Sequence, residues 1–349
     1  MGRQAPFRMC VNVCDRLRRF TSRNVHSDGN ANIVALRFVF VMMIFMSHFS
    51  YRGILSFEAG GDCGVAFFFV LSGFCMSMGY GHRVDDKTFS FRRYAWRRLL
   101  KIYPLHWLCL ALFLVIFRPP TDHKLLLNAL LLQSWIPDPD YYFSYNGVSW
   151  FLSSLLFLYM LFPTLWRVAD RFTLTASLTL CLVIYVLVPY DRINALLYVA
   201  PWIRIFDFFF GIMLYKFYRR SVDMSCSWWC EWLLLGLLVV SVAVYPYCDA
   251  KLRNAPLYWC VLLPLIFFFV RESSSVGKYL RCGVLQWLGG LSMPIFMLHP
   301  IVFRCMFHFL PFLPPGLMLV VCFAVTVVMS WAVDRFLLSA VERIRHRPV

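Results

Sequence analysis

Two residues in the first apolar stretch, LRFVFVMMIFMSHFSY, have chemistry to offer: Arg37 and His48. An ionisable group in a greasy span is costly and by default marks a function. The two stand eleven positions apart. On an α-helix that is about three turns, so both face nearly the same way, roughly 16 Å apart along the axis. An imidazole with a pKa near ~6.5 suits proton transfer or covalent catalysis at neutral pH. A guanidinium suits phosphate or carboxylate. The competing reading has Arg37 snorkelling to an interface and His48 satisfied there by water.

Further candidates lie along the chain. GGDCGVAFFFVLSGF (60–74) is glycine-rich and places Ser72 inside a span, either in a site or bonded back to its own helix. Its G-x-x-G lacks the βαβ context of a dinucleotide fingerprint. FRRYAWRRLLKIYP (91–104) carries Arg92, Arg93, Arg97, Arg98 and Lys101, with Arg93, Arg97 and Lys101 on one helical face. Such a face fits a phosphate-rich ligand, or anchoring to anionic lipid. His299 precedes Pro300 in LSMPIFMLHPIVF, and Arg204 and Asp207 sit one turn apart in RIFDFFFG, where they can simply pair. Asp334 and Glu342 read as interfacial. The 13 cysteines show no CxxC and no Cys/His metal spacing, so no metal is expected. Cys75, Cys109, Cys181, Cys260 and Cys322 lie inside apolar runs and read as small hydrophobes. Of the disulfides only Cys63–Cys248 is entertained, as a minor alternative.

The elements that must hold these residues are membrane spans. The 349 residues are 60% hydrophobic and 15% charged, against about 25% charged in an ordinary soluble domain. Apolar runs near the ~20 residues of a spanning helix recur. They predict an all-α polytopic bundle of about ten helices, near 32–51, 63–81, 101–118, 148–167, 172–189, 201–218, 229–246, 256–270, 284–304 and 316–338. Segment 124–135 (KLLLNALLLQSW) is too short to span and reads as interfacial or re-entrant. The net charge of +16 is strongly asymmetric. Of the 34 Lys and Arg, 25 flank one side of the spans, 8 flank the other, and Arg37 lies within the first span. That predicts N-in and C-in topology and accounts for the basicity without nucleic acid. Residues 1–30 read as a basic cytoplasmic tail with no cleaved signal peptide, 31–340 as the membrane domain, and 341–349 as a cytoplasmic C-terminal tail.

In order, these stretches resemble the membrane-bound acyltransferase-3 family over nearly the whole chain after residue 30. Arg37 and His48 fit its Arg-x10-His motif. GDCGVAFFFVLSGF fits G-x-x-G-V-x-x-F-F-x-L-S-G-F. RRLLKIYP fits the basic element that opens the third helix, with Arg98 and Lys101 at its basic positions. DFFFGIMLY and LGGLSMPIFMLHPIV resemble two later blocks. In WFLSSLLFLY, Trp150 and Tyr159 match W-S-L-x-x-E-x-x-F-Y, but Leu155 stands where many members have glutamate. The family's larger fusions add an SGNH esterase-like domain; this chain is expected to stand alone.

The resemblance implies ten helices and transfer of an acyl group, usually acetyl from cytosolic acetyl-CoA, to a hydroxyl of an extracytoplasmic or lipid-linked glycan. It implies His48 as catalytic histidine and Arg37 as its companion. Arg93, Arg97, Arg98 and Lys101 are the expected phosphate contacts. Ser72, Trp150, Tyr159, Arg204, Asp207 and His299 are further candidates. No bound cofactor is expected; acyl-CoA is a co-substrate. The expected partners are acyl-CoA, the glycan or glycolipid acceptor and membrane lipid, with polysaccharide-synthesis proteins and a second copy as further candidates. The expected location is a bacterial inner membrane. The alternatives are succinyl transfer, or a glycan or lipid transporter without acyl transfer.

Overall fold

The computed structural model describes residues 31–51, 55–56, 60–221, 227–254, 256–270 and 276–345. The first helix, α1 (Ala31–His48), ends at a short antiparallel hairpin of β1 (Ser50–Tyr51) and β2 (Leu55–Ser56). Next come α2 (Gly61–Asp85) and α3 (Phe91–Phe117). Short helices α4 (His123–Ala129) and α5 (Pro139–Tyr142) then lead to α6 (Trp150–Val168). α7 (Arg171–Leu187) is followed by a π-turn, Asn194–Val199, and α8 (Arg204–Arg220). α9 (Trp228–Val244) and α10 (Pro256–Phe269) precede the short α11 (Gly277–Leu280) and α12 (Gly283–Gly290). The chain closes with α13 (Ser292–Phe309), α14 (Pro315–Val333), a second π-turn and α15 (Ser339–Arg345).

Among the described residues, eight helical stretches are long and apolar enough to cross a membrane. A ninth results if α12 and α13, bent by 68° at Leu291, count as one span. The remaining expected span, 172–189, is α7. Its 17 residues reach about 26 Å, short of a ~30 Å hydrocarbon core. The helix begins on a capping box, Asp170 with Thr173, and stops two residues before Pro189. The 1–30 tail lies outside the described residues. Cys63 and Cys248 are both free thiols, so that bridge is absent.

α2 is the axis of the bundle and packs on α1, α6 and α8. Its closest neighbour is α8, where each helix places a glycine against the other's backbone. A Cβ on Gly73 would collide with the Phe208 carbonyl, and one on Gly211 with the Val70 carbonyl. Small residues let helices approach in lipid, where the hydrophobic effect no longer drives their association. Gly73→Val or Gly211→Val is therefore expected to lower stability by about 1–3 kcal/mol through overpacking, read as a lower thermal midpoint in detergent. A midpoint equal to wild type would mean the two helices tolerate separation.

Segment 124–135 is inside-out relative to a soluble helix. Leu126, Leu130, Leu132 and Trp135 are exposed, while Asn128, Gln133 and Ser134 are buried. The segment folds back alongside α3. The Tyr103 hydroxyl, the His106 ring and the Trp107 indole bond the carbonyls of Leu130, Asn128 and Ala129 at 3.1, 2.7 and 3.0 Å. Tyr103 lies fourteen residues before the end of α3, about 21 Å along its axis. Side chains of the following loop meet the segment's polar groups: Asn128 Nδ2 donates to Ser144 Oγ at 2.6 Å and Gln133 Nε2 to Ser149 Oγ at 3.0 Å. Ser153 Oγ donates to the Leu131 carbonyl at 2.5 Å. Backbone that leaves helical geometry at this depth needs such partners.

Candidate active site

Three polar clusters line the inner faces of α1, α2, α3 and α6. The first is at the basic start of α3. Arg98 turns inward between three tyrosines. Its Nη2 donates to the Tyr80 hydroxyl at 2.8 Å, and its guanidinium lies 5.0, 5.7 and 5.6 Å from the rings of Tyr80, Tyr94 and Tyr159. Tyr94 is itself pinned, donating to the Tyr159 carbonyl at 2.6 Å. Arg98 Nε is buried and bonded to nothing, leaving one directed donor for a ligand. Outside this cage, Arg93 and Arg97 line a shallow pocket with Arg83, Thr88, Phe89 and Ser90. Lys101, expected on the same face, is exposed and is not in that lining. Arg83 joins the group from α2 and was not singled out in the sequence.

The second cluster surrounds Arg37. Its guanidinium interacts electrostatically with Cys75 and Tyr159. The hydroxyls of Tyr159 and Ser72 share a hydrogen bond, so Ser72 reaches across to α6 instead of back-bonding along α2. Tyr159 interacts with both Arg37 and Arg98 and links the first cluster to the second.

The third cluster lies at the far end of α1. His48 Nδ1 is 2.8 Å from the Ile44 carbonyl. A carbonyl only accepts, so Nδ1 carries the hydrogen and Nε2 keeps the lone pair in the neutral ring. The side chain is accessible. His299 stands beside it, ring centroids 5.1 Å apart and edge to face. It is fully buried among Phe45, Phe296 and Phe303. Pro300 lacks the N–H that would bond the Phe296 carbonyl. The ring of His299 turns back to that turn, with Nδ1 3.2 Å from the Ile295 carbonyl. Its Nε2 is buried without a partner.

Arg204 and Asp207 are brought near this end but bond to each other. Nη1 donates to Asp207 Oδ2 at 2.9 Å, with both side chains at most 2% exposed. Trp259 Nε1 donates to Asp207 Oδ1 at 2.5 Å, and Arg204 Nε to the Tyr198 carbonyl at 2.7 Å. The guanidinium lies over Tyr198, Phe69 and Trp150. The pair thus has the structural character weighed against a site role. Trp150 packs 4.8 Å from Tyr198. Leu155 is buried in the core, so no carboxylate enters the site at that position.

Sequence reasoning missed Asp62. It accepts a hydrogen bond from the Tyr245 hydroxyl at 2.8 Å and another from Tyr198. It interacts electrostatically with His48. A carboxylate in the first turn of an apolar helix was the available signal. The tyrosines gave none, being two among 17.

The acyltransferase-3 profile, an acyltransferase domain, matches residues 30–335. The chain belongs to the acyltransferase-3 family. It is therefore an acyltransferase and a multi-pass membrane protein, and the transporter alternative falls. The chain is 24% identical to acyltransferase MdmB of Streptomyces mycarofaciens over 315 residues, 78% of this chain and 79% of that protein. It is 28% identical to a putative acetyltransferase, ORF330, of Acidianus two-tailed virus over 178 residues. That match spans 49% of this chain and 52% of the viral protein. No solved structure matches the chain.

Proposed function

We propose that the protein moves an acetyl group from cytosolic acetyl-CoA to a hydroxyl of an extracytoplasmic or lipid-linked glycan. The observation that carries this reading is the succession of polar side chains from Arg98 through Tyr159 and Ser72 to Arg37, which stands on the helix that ends at His48. The basic end faces the cytosol, in keeping with the charge asymmetry of the loops.

In this reading the CoA phosphates dock on Arg93, Arg97 and Arg98, with Arg83 beside them and Lys101 at the rim. The pantetheine arm runs along α1 past Arg37, and the thioester meets His48. The Nε2 lone pair then takes the acceptor's hydroxyl proton, while the oxygen attacks the thioester carbon and CoA leaves as the thiolate. Alternatively Nε2 attacks the thioester first and passes the acyl group on. Both schemes use the same nitrogen.

Vesicles holding the protein, given labelled acetyl-CoA on the basic side and a glycan acceptor on the other, test the reading. Label appearing on the acceptor supports it. An intact donor, or labelled succinyl-CoA consumed in its place, overturns the acetyl assignment. In the same assay Arg37→Ala is expected to raise donor KM or abolish donor use, because a guanidinium at the pantetheine path is lost. Unchanged donor KM and turnover would remove Arg37 from the path.

A further inference from the structure

Asp62 has no part in the family motif and no place in the scheme above, yet it interacts electrostatically with His48. α1 and α2 run antiparallel. A Cβ on Gly61 would strike the Ser47 side chain, so the end of α1 and the start of α2 touch residue to residue. Their chain neighbours, His48 and Asp62, stand at the same level. The carboxylate is held from two further elements, by the Tyr245 hydroxyl after α9 and the Tyr198 hydroxyl of the π-turn. It also sits in the first turn of α2, where the helix dipole favours a negative charge. Asp207, the other carboxylate of this region, is already matched by Arg204 and Trp259.

We propose that Asp62 is a positioning residue for the acyl transfer, acting through His48 by supplying the fixed negative charge that offsets the imidazolium formed when Nε2 takes the hydroxyl proton. This rests on His48 being the proton acceptor. Asp62 does not take that proton and does not orient the ring, because Nδ1–H is already bonded to the Ile44 carbonyl. Its contribution is electrostatic, because a preorganised charge near the reacting group stabilises developing charge. The neighbouring His299 supplies no such charge, being buried in an aromatic cage. In the reaction the O–H bond breaks and the N–H bond forms on His48. When CoA thiolate leaves, the proton passes from Nε2 to sulfur or solvent and the ring returns to neutral. Asp62 exchanges no proton in this scheme.

The test is steady-state kinetics of Asp62→Asn in vesicles with acetyl-CoA and the acceptor. Asparagine keeps an acceptor for a tyrosine hydroxyl and removes the charge. The expected result is a fall in kcat of about 10- to 100-fold. Donor KM and the thermal midpoint stay unchanged, and Asp62→Glu recovers part of the loss. Retention of kcat within twofold overturns the proposal. So does a loss of activity in Asp62→Asn that tracks a loss of stability and is reproduced by Tyr245→Phe, since that would mean Asp62 only ties down neighbouring loops. Full activity of His48→Ala would instead overturn the proton-acceptor reading beneath it.

Discussion

Protein carrying His48→Ala is expected to insert and fold like wild type but to transfer acyl groups at least about 100-fold more slowly. Folding should survive because His48 is the last residue of α1 and is accessible. Its one described hydrogen bond is to a carbonyl in its own helix. Truncation empties little packed space there, unlike a core deletion. Activity should fall because no neighbour can substitute. His299 is fully buried and tethered at Nδ1, and its Nε2 faces aromatic surroundings. The size of the loss also decides between the two chemistries. Removing a general base costs about 10²- to 10⁴-fold and leaves a measurable residue from proximity and binding. Removing a nucleophile eliminates the covalent path and with it any burst of CoA release in the absence of acceptor. Wild type releasing one equivalent of CoA per protein before acceptor is added, and His48→Ala releasing none, identifies the acyl-imidazole route. Steady release only in the presence of acceptor identifies the base. A fully active His48→Ala protein removes His48 from the reaction.

Arg204→Met is expected to lower stability by about 3–5 kcal/mol, the cost of stranding one member of a buried ion pair. Asp207 is 2% exposed and would keep only the Trp259 indole. The same guanidinium donates to the Tyr198 carbonyl at the end of the π-turn and packs on Phe69, Tyr198 and Trp150. Its loss therefore also loosens the segment whose tyrosine hydroxyl reaches Asp62. The double variant Arg204→Met/Asp207→Leu removes both charges and is expected to recover much of the stability, because apolar replacements of similar volume suit a low-dielectric site. Thermal unfolding in detergent, followed for both variants, checks this. A single variant as stable as wild type would mean that the pair is hydrated, not buried.

Eight of the ten expected spans, or nine with the bent pair, were legible in the sequence because hydrocarbon imposes one rule on every residue that faces it, and that rule reads out as runs of apolar side chains. The alignment of Arg37 with His48 was legible because helical periodicity is local. The pairing of Arg204 with Asp207 followed from the same geometry, at a spacing of three. Gly73 and Gly211 are small residues in apolar helices, and only packing shows that each lies against the other helix's backbone. What the sequence left open depends on which helices become neighbours. The tyrosine cage of Arg98 draws Tyr80 from α2, Tyr94 from α3 and Tyr159 from α6. The inward face of KLLLNALLLQSW is polar because a ring of hydroxyls and carbonyls awaits it on α3, α6 and the loop. The 68° bend at Leu291 separates α12, packed on Val34 near one end of α1, from α13, which carries His299 to the other end. Composition and periodicity report what each residue prefers as surroundings. They determined a membrane bundle with an arginine and a histidine on one inner face. Which carboxylate, imidazole and tyrosines meet that histidine was decided only by tertiary packing, because side chains up to about 250 positions apart become neighbours through helix contacts that no local pattern encodes.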